Sequence, residues 1–242
     1  MELEQIQATE LSPPLESTIG SEDRGETDRR RLAREADLIK AGRGPINKWL
    51  GIPQRFHGKS LANLTGVADK IGAGKEALAV GKSIFITGGC GTGKTHLALG
   101  LLLWWSGVRW ETPAFDNRVW RSVALTSWIE LLLELKRGFG AGRSEAEMLE
   151  KYDKEMFVLD DLGAERISEW SRETCYALLD RRYRHVRQTI ITSNLDLNGI
   201  AKTFDDRIAS RIVEMAQVIE LEGKDYRLKD FPQQTKKGKG KK

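Results

Sequence analysis

A glycine-rich octapeptide at positions 88–95 constrains the fold of this chain more than any other feature. Its residues are Gly88, Gly89, Cys90, Gly91, Thr92, Gly93, Lys94 and Thr95. They match G-x-x-x-x-G-K-[ST], the phosphate-binding P-loop, in which main-chain N–H groups surround phosphate oxygens more closely than a Cβ atom would allow. A β-branched and aromatic run at 83–87 precedes the loop, and a run of helix formers at 96–103 follows it. This order predicts a strand, a phosphate loop and a helix.

The octapeptide also predicts what the site binds. Lys94 is expected to pair with the β- and γ-phosphates of ATP, and the Thr95 hydroxyl is expected to ligate Mg²⁺. The N-terminus of the following helix adds partial positive charge beneath the phosphates. All eight residues of the loop therefore form the predicted nucleotide-binding set. Cys90 occupies a variable position of the motif and is given no chemical role.

Two adjacent acids form a second predicted part of the site. Asp160 and Asp161 follow the apolar run 156–159, about 65 residues after the P-loop. In an open α/β sheet, ligands bind at the carboxyl ends of the strands, which is where these acids fall. Asp160 is predicted to hold Mg²⁺ through its water shell. Asp161 is predicted to act as the general base that polarises the attacking water.

Three further polar residues are candidates for catalysis. Asn194 ends the predicted strand at 188–194 and either orients water beside the γ-phosphate or caps a helix or turn. Arg207 and Arg211 lie one turn apart on a predicted helix over 205–215. Neither arginine has an obvious partner within its own P-loop unit, so they are either a surface pair or an arginine finger offered to a neighbouring subunit.

Composition limits the class of protein. The 242 residues are 40% hydrophobic and 31% charged, as expected of a globular protein. The longest apolar run, 97–105, is too short to cross a bilayer, and the polar N-terminus contains no secretory signal. The two cysteines, Cys90 and Cys175, predict neither a disulfide framework nor a metal site. We therefore expect a cytoplasmic protein without a membrane partner.

The chain is expected to divide into three parts. Residues 1–45 are predicted to be a flexible extension with one amphipathic helix at 26–41, which packs either on its own domain or on a partner. Residues 46–230 form the predicted ATPase domain. Residues 231–242 form a predicted basic disordered tail. The last ten residues hold five lysines and no acid, while the whole chain has a net charge of +4. The tail either contacts nucleic-acid phosphates or serves only solubility.

Several motifs together resemble those of the DnaC/IstB type of AAA+ ATPases, which includes bacterial and phage helicase loaders and transposon ATPases. The resemblance covers most of the chain. Besides the P-loop, it rests on the sequences at 51–56, 158–165, 191–194, 206–212 and 223–227.

The resemblance implies a fold and a set of roles. The fold is an α/β P-loop NTPase with an AAA+ (ASCE) core, a five-stranded parallel sheet flanked by helices and no C-terminal lid domain. The resemblance assigns Asn194 the role of sensor 1. It makes Arg211 the first candidate for the arginine finger and Arg207 the second, and it places 51–56 near the adenine. The resemblance also implies an ATP-dependent homo-oligomer that binds DNA, with single-stranded DNA as the first choice. It further implies that the protein acts on a replicative helicase through its N-terminal extension.

Three functions remain open from the sequence. The first is a DnaC-like helicase loader in DNA replication. The second is an IstB-like transposition helper that binds DNA and recruits a transposase. The third is a P-loop kinase that phosphorylates a small molecule. The Asp160–Asp161 pair and the helix with two arginines speak against the kinase.

Overall fold

A five-stranded, all-parallel sheet forms the centre of the protein and confirms the predicted α/β fold. The computed structural model describes residues 52–110, 122–223 and 225–226. The strand order is β2-β3-β4-β1-β5. The strands are β1 (Ser83–Gly88), β2 (Val123–Ser127), β3 (Met156–Leu162), β4 (Gln188–Ser193) and β5 (Ala216–Leu221). Within the described part of the chain, no helix is both long and apolar enough to cross a membrane.

Helices cover both faces of the sheet. They are α1 (Ala68–Ala79), α2 (Lys94–Trp110), α3 (Trp128–Gly140), α4 (Glu145–Glu150), α5 (Glu169–Arg184), α6 (Leu197–Thr203) and α7 (Asp206–Met215). Two short 3-10 turns, at Gln54–Phe56 and Leu61–Asn63, precede α1. Three predictions fall on residues outside the described ranges. They are the helix at 26–41, the lysine tail and the lack of a C-terminal lid domain.

Alternating side chains on the central strands build two apolar cores. Ile84 and Ile86 face α1 and α2, whereas Phe85 faces α3 to α7 on the other side. Phe157 of β3 likewise faces the same side as Phe85, and Val158 faces the side of Ile84. Successive strand side chains point to opposite faces, so strands covered on both sides must be apolar at nearly every position. This requirement explains the continuous hydrophobic runs in β1 and β3.

Serine and aspartate caps define where several helices start. Ser127, Ser144 and Ser168 each accept a hydrogen bond from the backbone three residues later, before α3, α4 and α5 respectively. Asp196 caps α6 by accepting from Gly199 N, and Asp205 caps α7 by accepting from Arg207 N, two residues later. A cap satisfies one of the N–H groups that the first turn leaves without a partner. The caps therefore fix where the chain turns from each strand or loop into a helix.

Two helices of the protein continue through glycines. Helix α1 is unbroken from Ala68 to Ala79 although it contains Gly72 and Gly74. Helix α3 extends to Gly140 and includes Gly138 in its last turn. A Cβ atom at Gly138 would lie 1.7 Å from Met148 Sδ, so this glycine allows α3 and α4 to pack closely.

A fully buried arginine of α5 links the segment before β3 to the start of β4, at the amino ends of these strands and opposite the P-loop. The Arg182 side chain is 0% exposed. Its guanidinium donates to the carbonyls of Tyr152 (2.6 Å), Lys154 (3.0 Å) and Gln188 (2.6 Å), and to Thr189 Oγ1 (2.7 Å). Burial lowers the pKa of this guanidinium. A buried cation is tolerated only when its donors find acceptors, and here four oxygens accept from four of the five N–H groups.

Replacing Arg182 is expected to destabilise the fold strongly. Arg182→Ala leaves several buried carbonyl oxygens without donors, and each such loss costs about 1–3 kcal/mol. We expect the free energy of unfolding to fall by about 3 kcal/mol or more in urea titrations. Arg166→Ala, at an exposed arginine, is the control and is expected to stay within about 0.5 kcal/mol of the parent. Equal stability of the two variants would contradict this account.

Candidate nucleotide-binding site

The P-loop, Asp160, Asp161 and Asn194 meet at the carboxyl ends of the three central strands. Strand β4 lies between β3 and β1, with Ile190 paired to both Val158 and Ile84. The P-loop follows β1, Asp160 lies near the end of β3, and Asn194 follows β4 directly. Parallel neighbours end on the same edge of a sheet, so residues far apart in sequence come together.

The glycine loop has the backbone geometry that a phosphate cradle needs. Gly88, Gly91 and Gly93 have φ values of 147°, 70° and 97°, a region that favours glycine. A Cβ atom at Gly88 would lie 2.2 Å from the carbonyl oxygen of Leu221, so no larger residue fits there. Thr92 Oγ1 donates to the Gly89 carbonyl at 2.9 Å and closes the loop.

Lys94 reaches across the loop to the end of β4. Its side chain is buried, and Nζ donates to the carbonyls of Gly88 and Gly89, both at 2.8 Å. Nζ also donates to Asn194 Oδ1 at 2.6 Å. The α6 cap is Asp196, which accepts from Gly199 N, so Asn194 does not cap this helix. Asn194 instead accepts a hydrogen bond from the lysine of the P-loop, and its sensor role stays a prediction.

Thr95 and Asp160 provide an oxygen pair that suits magnesium. Thr95 Oγ1 donates to Asp160 Oδ1 at 2.9 Å. Burial raises the pKa of Asp160, and hydrogen bonds from Thr192 and Thr95 oppose the shift. The described residues contain no cluster of three or more His, Cys, Asp or Glu side chains suited to a metal. Mg²⁺ usually binds one or two protein oxygens and completes its shell with water and phosphate, so this donor set fits the ion.

Asp161 is placed differently from its neighbour. It is exposed and has a φ of 61°, which is uncommon for a residue other than glycine. Asn194 Nδ2 donates to Asp161 Oδ1 at 3.4 Å. The predicted general base therefore lies beside the predicted sensor, on the open side of the site. Its role in catalysis stays a prediction.

The segment before α1 packs against the start of α2. His96 Nε2 lies 2.9 Å from the Ser60 carbonyl oxygen, and burial lowers the pKa of His96. Leu61 fills the space beside Gly100, and Leu64 Cδ2 lies 3.7 Å from the position of a Cβ atom at Gly93. These contacts bring 60–64 next to the P-loop. The expected position of 51–56 beside adenine stays a prediction.

A contact from the C-terminal side was not predicted from the sequence. Tyr226 N donates to the Gly91 carbonyl oxygen at 3.1 Å. The Asp225 carboxylate fills the place where a side chain at Gly91 would start, since a Cβ atom there would lie 1.6 Å from Asp225 Oδ1. Residues 225–226 therefore lie against the phosphate loop. The position of these two residues depends on a contact between distant parts of the sequence, so no local sequence pattern could have predicted it.

The two arginines of α7 have acidic partners in their own chain, which corrects the expectation that they have none. Arg211 contacts Asp180 Oδ1 at 3.1 Å and Glu214 Oε2 at 3.0 Å. Arg207 contacts Asp205 Oδ2 at 3.0 Å. Both guanidinium groups also stack on tyrosine rings of α5. Of the two, Arg207 is the more exposed, with 71% of its side chain accessible against 23% for Arg211.

Comparison with known proteins identifies the relatives of this chain. Residues 73–234 match the family described as IstB-like ATP binding protein. The chain is 26% identical over 157 residues to the phage-like element PBSX protein XkdC of Bacillus subtilis. It is 24% identical over 163 residues to an ATP-binding protein of insertion sequence IS5376 from Geobacillus stearothermophilus. These matches cover 60% and 65% of this chain, and 53% and 60% of the relatives.

Solved structures share the fold. The DnaC helicase loader superposes with a TM-score of 0.58 at 23% identity, over 70% of this chain and 100% of the other. DnaI gives 0.54 at 24% identity, over 72% and 93%. The replication initiator DnaA, bound to AMPPCP and single-stranded DNA, gives 0.54 at 22% identity, over 69% and 50%. The likeness confirms the AAA+ P-loop fold predicted from the sequence.

Removing the Lys94 ammonium is expected to weaken ATP binding. A charge-assisted hydrogen bond contributes about 1.5–3 kcal/mol, so Lys94→Ala should lower the affinity about 10- to 100-fold. Fluorescence titration with a labelled ATP analogue measures this. Lys82→Ala removes an exposed lysine just before β1, at the opposite end of that strand, and is the control. Unchanged affinity in the Lys94 variant would show that the nucleotide binds elsewhere.

Proposed function

This chain belongs to the IstB-like family of ATP-binding proteins, and from that premise we propose that it is a DNA-dependent ATPase that loads a replicative helicase. The observation that carries the proposal is the convergence of Lys94, Asp160 and Asn194 at one edge of the sheet. This arrangement supports ATP hydrolysis rather than nucleotide binding alone, because acids and a polar amide surround the place of the terminal phosphate.

Each residue of the site has a proposed task. Main-chain amides of the P-loop and Lys94 hold the triphosphate. Thr95 and Asp160 hold Mg²⁺, which neutralises charge on the phosphates when bound. Asp161 accepts a proton from the attacking water, and the Asn194 amide orients that water. The carboxylate of Asp161 suits this task because it is exposed and within reach of Asn194.

We further propose that hydrolysis needs a second copy of the chain. Helix α7 packs against α5 and α6, and its two arginines lie on the α5 side of that helix, held by acids of their own chain. The resemblance to DnaC/IstB proteins assigns the finger role to Arg211 first and Arg207 second. In an assembly, the finger would exchange its carboxylate partners for the γ-phosphate of the neighbouring subunit.

Mixing inactive variants tests this cross-subunit arrangement. Lys94→Ala and Arg211→Ala are each expected to lose hydrolysis alone. An equimolar mixture should regain about a quarter of the parent rate, because about one interface in four then pairs an intact P-loop with an intact arginine. Phosphate release at a fixed total concentration is the measurement.

Two comparisons sharpen this test. A second mixture combines Lys94→Ala with Arg207→Ala. Comparison of the two mixtures decides which arginine acts as the finger. Arg184→Ala is the matched control, since Arg184 also contacts Asp180 but lies on α5, and it should hydrolyse ATP alone. A mixture of the Lys94 and Arg211 variants that stays inactive would contradict action between subunits.

The choice of a helicase loader rests on similarity to proteins whose names state that role. One of the structural neighbours is the DnaC helicase loader, and DnaA is seen with single-stranded DNA. A transposition helper is the second candidate, because one relative is the ATP-binding protein of an insertion sequence. Both candidates use the same ATP chemistry, so the partner and the form of DNA must separate them.

Two measurements on the full chain separate these candidates. A loader should retain the replicative helicase of its own cell in an ATP-dependent pull-down, and single-stranded DNA should stimulate its hydrolysis more than duplex DNA does. A transposition helper should retain no helicase and should respond more to duplex DNA. The second pattern would overturn the loader proposal, and both tests use a Lys94→Ala chain as the nucleotide-free control.

A further inference from the structure

The two acids of β3 face a single residue of the neighbouring strand. Leu159 pairs with Ile191 and Leu162 pairs with Ser193, so the register between β3 and β4 shifts by one residue. Asp160 and Asp161 therefore stand opposite Thr192 alone. This arrangement is a β-bulge, which inserts one extra residue into one strand and bends it locally. In a regular strand, two adjacent side chains would point to opposite faces of the sheet.

The Thr192 hydroxyl bonds to both acids. It donates to Asp160 Oδ1 at 2.6 Å and accepts from the Asp161 main-chain N–H at 2.9 Å. Thr192 is 1% exposed, so water does not compete for these bonds. A hydroxyl carries one hydrogen and two lone pairs, and this one uses its hydrogen on one acid and a lone pair on the other.

Both bonds act on groups that the bulge would otherwise leave unsupported. The bulge disrupts the ladder hydrogen bonds at this point, and a buried N–H group without an acceptor is costly. The Thr192 oxygen accepts from the Asp161 N–H, which fixes the backbone where Asp161 has a φ of 61°. On the other side, Asp160 Oδ1 lies between two hydroxyls, that of Thr192 and that of Thr95 at 2.9 Å.

We propose that Thr192 is a positioning residue of the ATPase site, which through one hydroxyl holds Asp160 toward Thr95 and Asp161 toward Asn194. The proposal rests on the proposed function, since it assumes that Asp160 and Asp161 serve Mg²⁺ and water. It adds that the positions of Asp160 and Asp161 are coupled, because the same hydroxyl of β4 bonds to both. Loss of the hydroxyl should therefore affect metal binding and hydrolysis together, while the grip of the P-loop on the phosphates stays intact.

Variants that differ only in this hydroxyl test the proposal. Thr192→Val keeps the shape of threonine without its hydroxyl, whereas Thr192→Ser keeps the hydroxyl without the methyl group. Residues that orient metal ligands typically contribute 10- to 100-fold to metal affinity or activity. We expect Thr192→Val to weaken Mn²⁺ binding to the ATP complex and to lower kcat by about 10- to 100-fold each. Thr192→Ser should stay within about 3-fold of the parent for both.

The readouts distinguish positioning from general damage to the fold. Electron paramagnetic resonance of Mn²⁺ in the ATP complex reports metal binding without turnover, and labelled ATP without metal reports the P-loop. Ser193→Ala is the matched control. Ser193 is the next residue of β4, it is also buried, and its hydroxyl donates to the Leu162 carbonyl at 2.6 Å without touching either acid. This control should lose thermal stability and keep the parent Mn²⁺ affinity.

Each outcome bears on the proposal separately from the proposed function. If the parent chain hydrolyses ATP and Thr192→Val binds Mn²⁺ and turns over as the parent does, the role of Thr192 is refuted while the ATPase stands. If the parent chain does not hydrolyse ATP, the proposed function itself fails. Should valine prevent folding, Thr192→Ser and Thr192→Ala form a second pair that differs only in the hydroxyl. Equal Mn²⁺ affinity in that pair would also overturn the proposal.

Discussion

A buried ammonium group is the interaction on which the site depends. Lys94 is 7% exposed, and its charge is stable there only because carbonyl and amide oxygens surround it. Two of those oxygens belong to the P-loop and one to Asn194, so the lysine joins the end of β1 to the end of β4. Burial raises the pKa of Asp160, whereas the positive charge of Lys94 lowers it and so favours the ionised carboxylate. One side chain thus links the P-loop, Asn194 and Asp160.

Much of this arrangement follows from local sequence patterns. The P-loop, the paired acids and Asn194 each fall at or just after the end of a predicted strand, and parallel strands bring such ends together. Whatever depends on register or on distant contacts was not predictable. The β-bulge at Asp160 depends on how β3 pairs with β4, so the sequence alone does not suggest the role that we propose for Thr192. The same holds for Asp180, which contacts Arg211 across 31 residues.

The acidic partners of the two arginines give the cross-subunit proposal a physical form. Arg211 and Arg207 are satisfied by carboxylates within one chain, so a finger must give up those contacts to reach a neighbour. The γ-phosphate offers more negative charge than a single carboxylate and suits the planar guanidinium. Assembly and nucleotide binding are then coupled, because the exchange is favourable only when a triphosphate occupies the adjacent subunit.

The structure of the chain with Mg²⁺ and a non-hydrolysable ATP analogue tests the central claim most directly. The account predicts that Lys94 Nζ leaves the Gly88 and Gly89 carbonyls for phosphate oxygens, and that a metal ion lies between Thr95 Oγ1, the phosphates and the water shell of Asp160. An analogue bound away from residues 88–95, with Lys94 still bonded to both carbonyls, would contradict it.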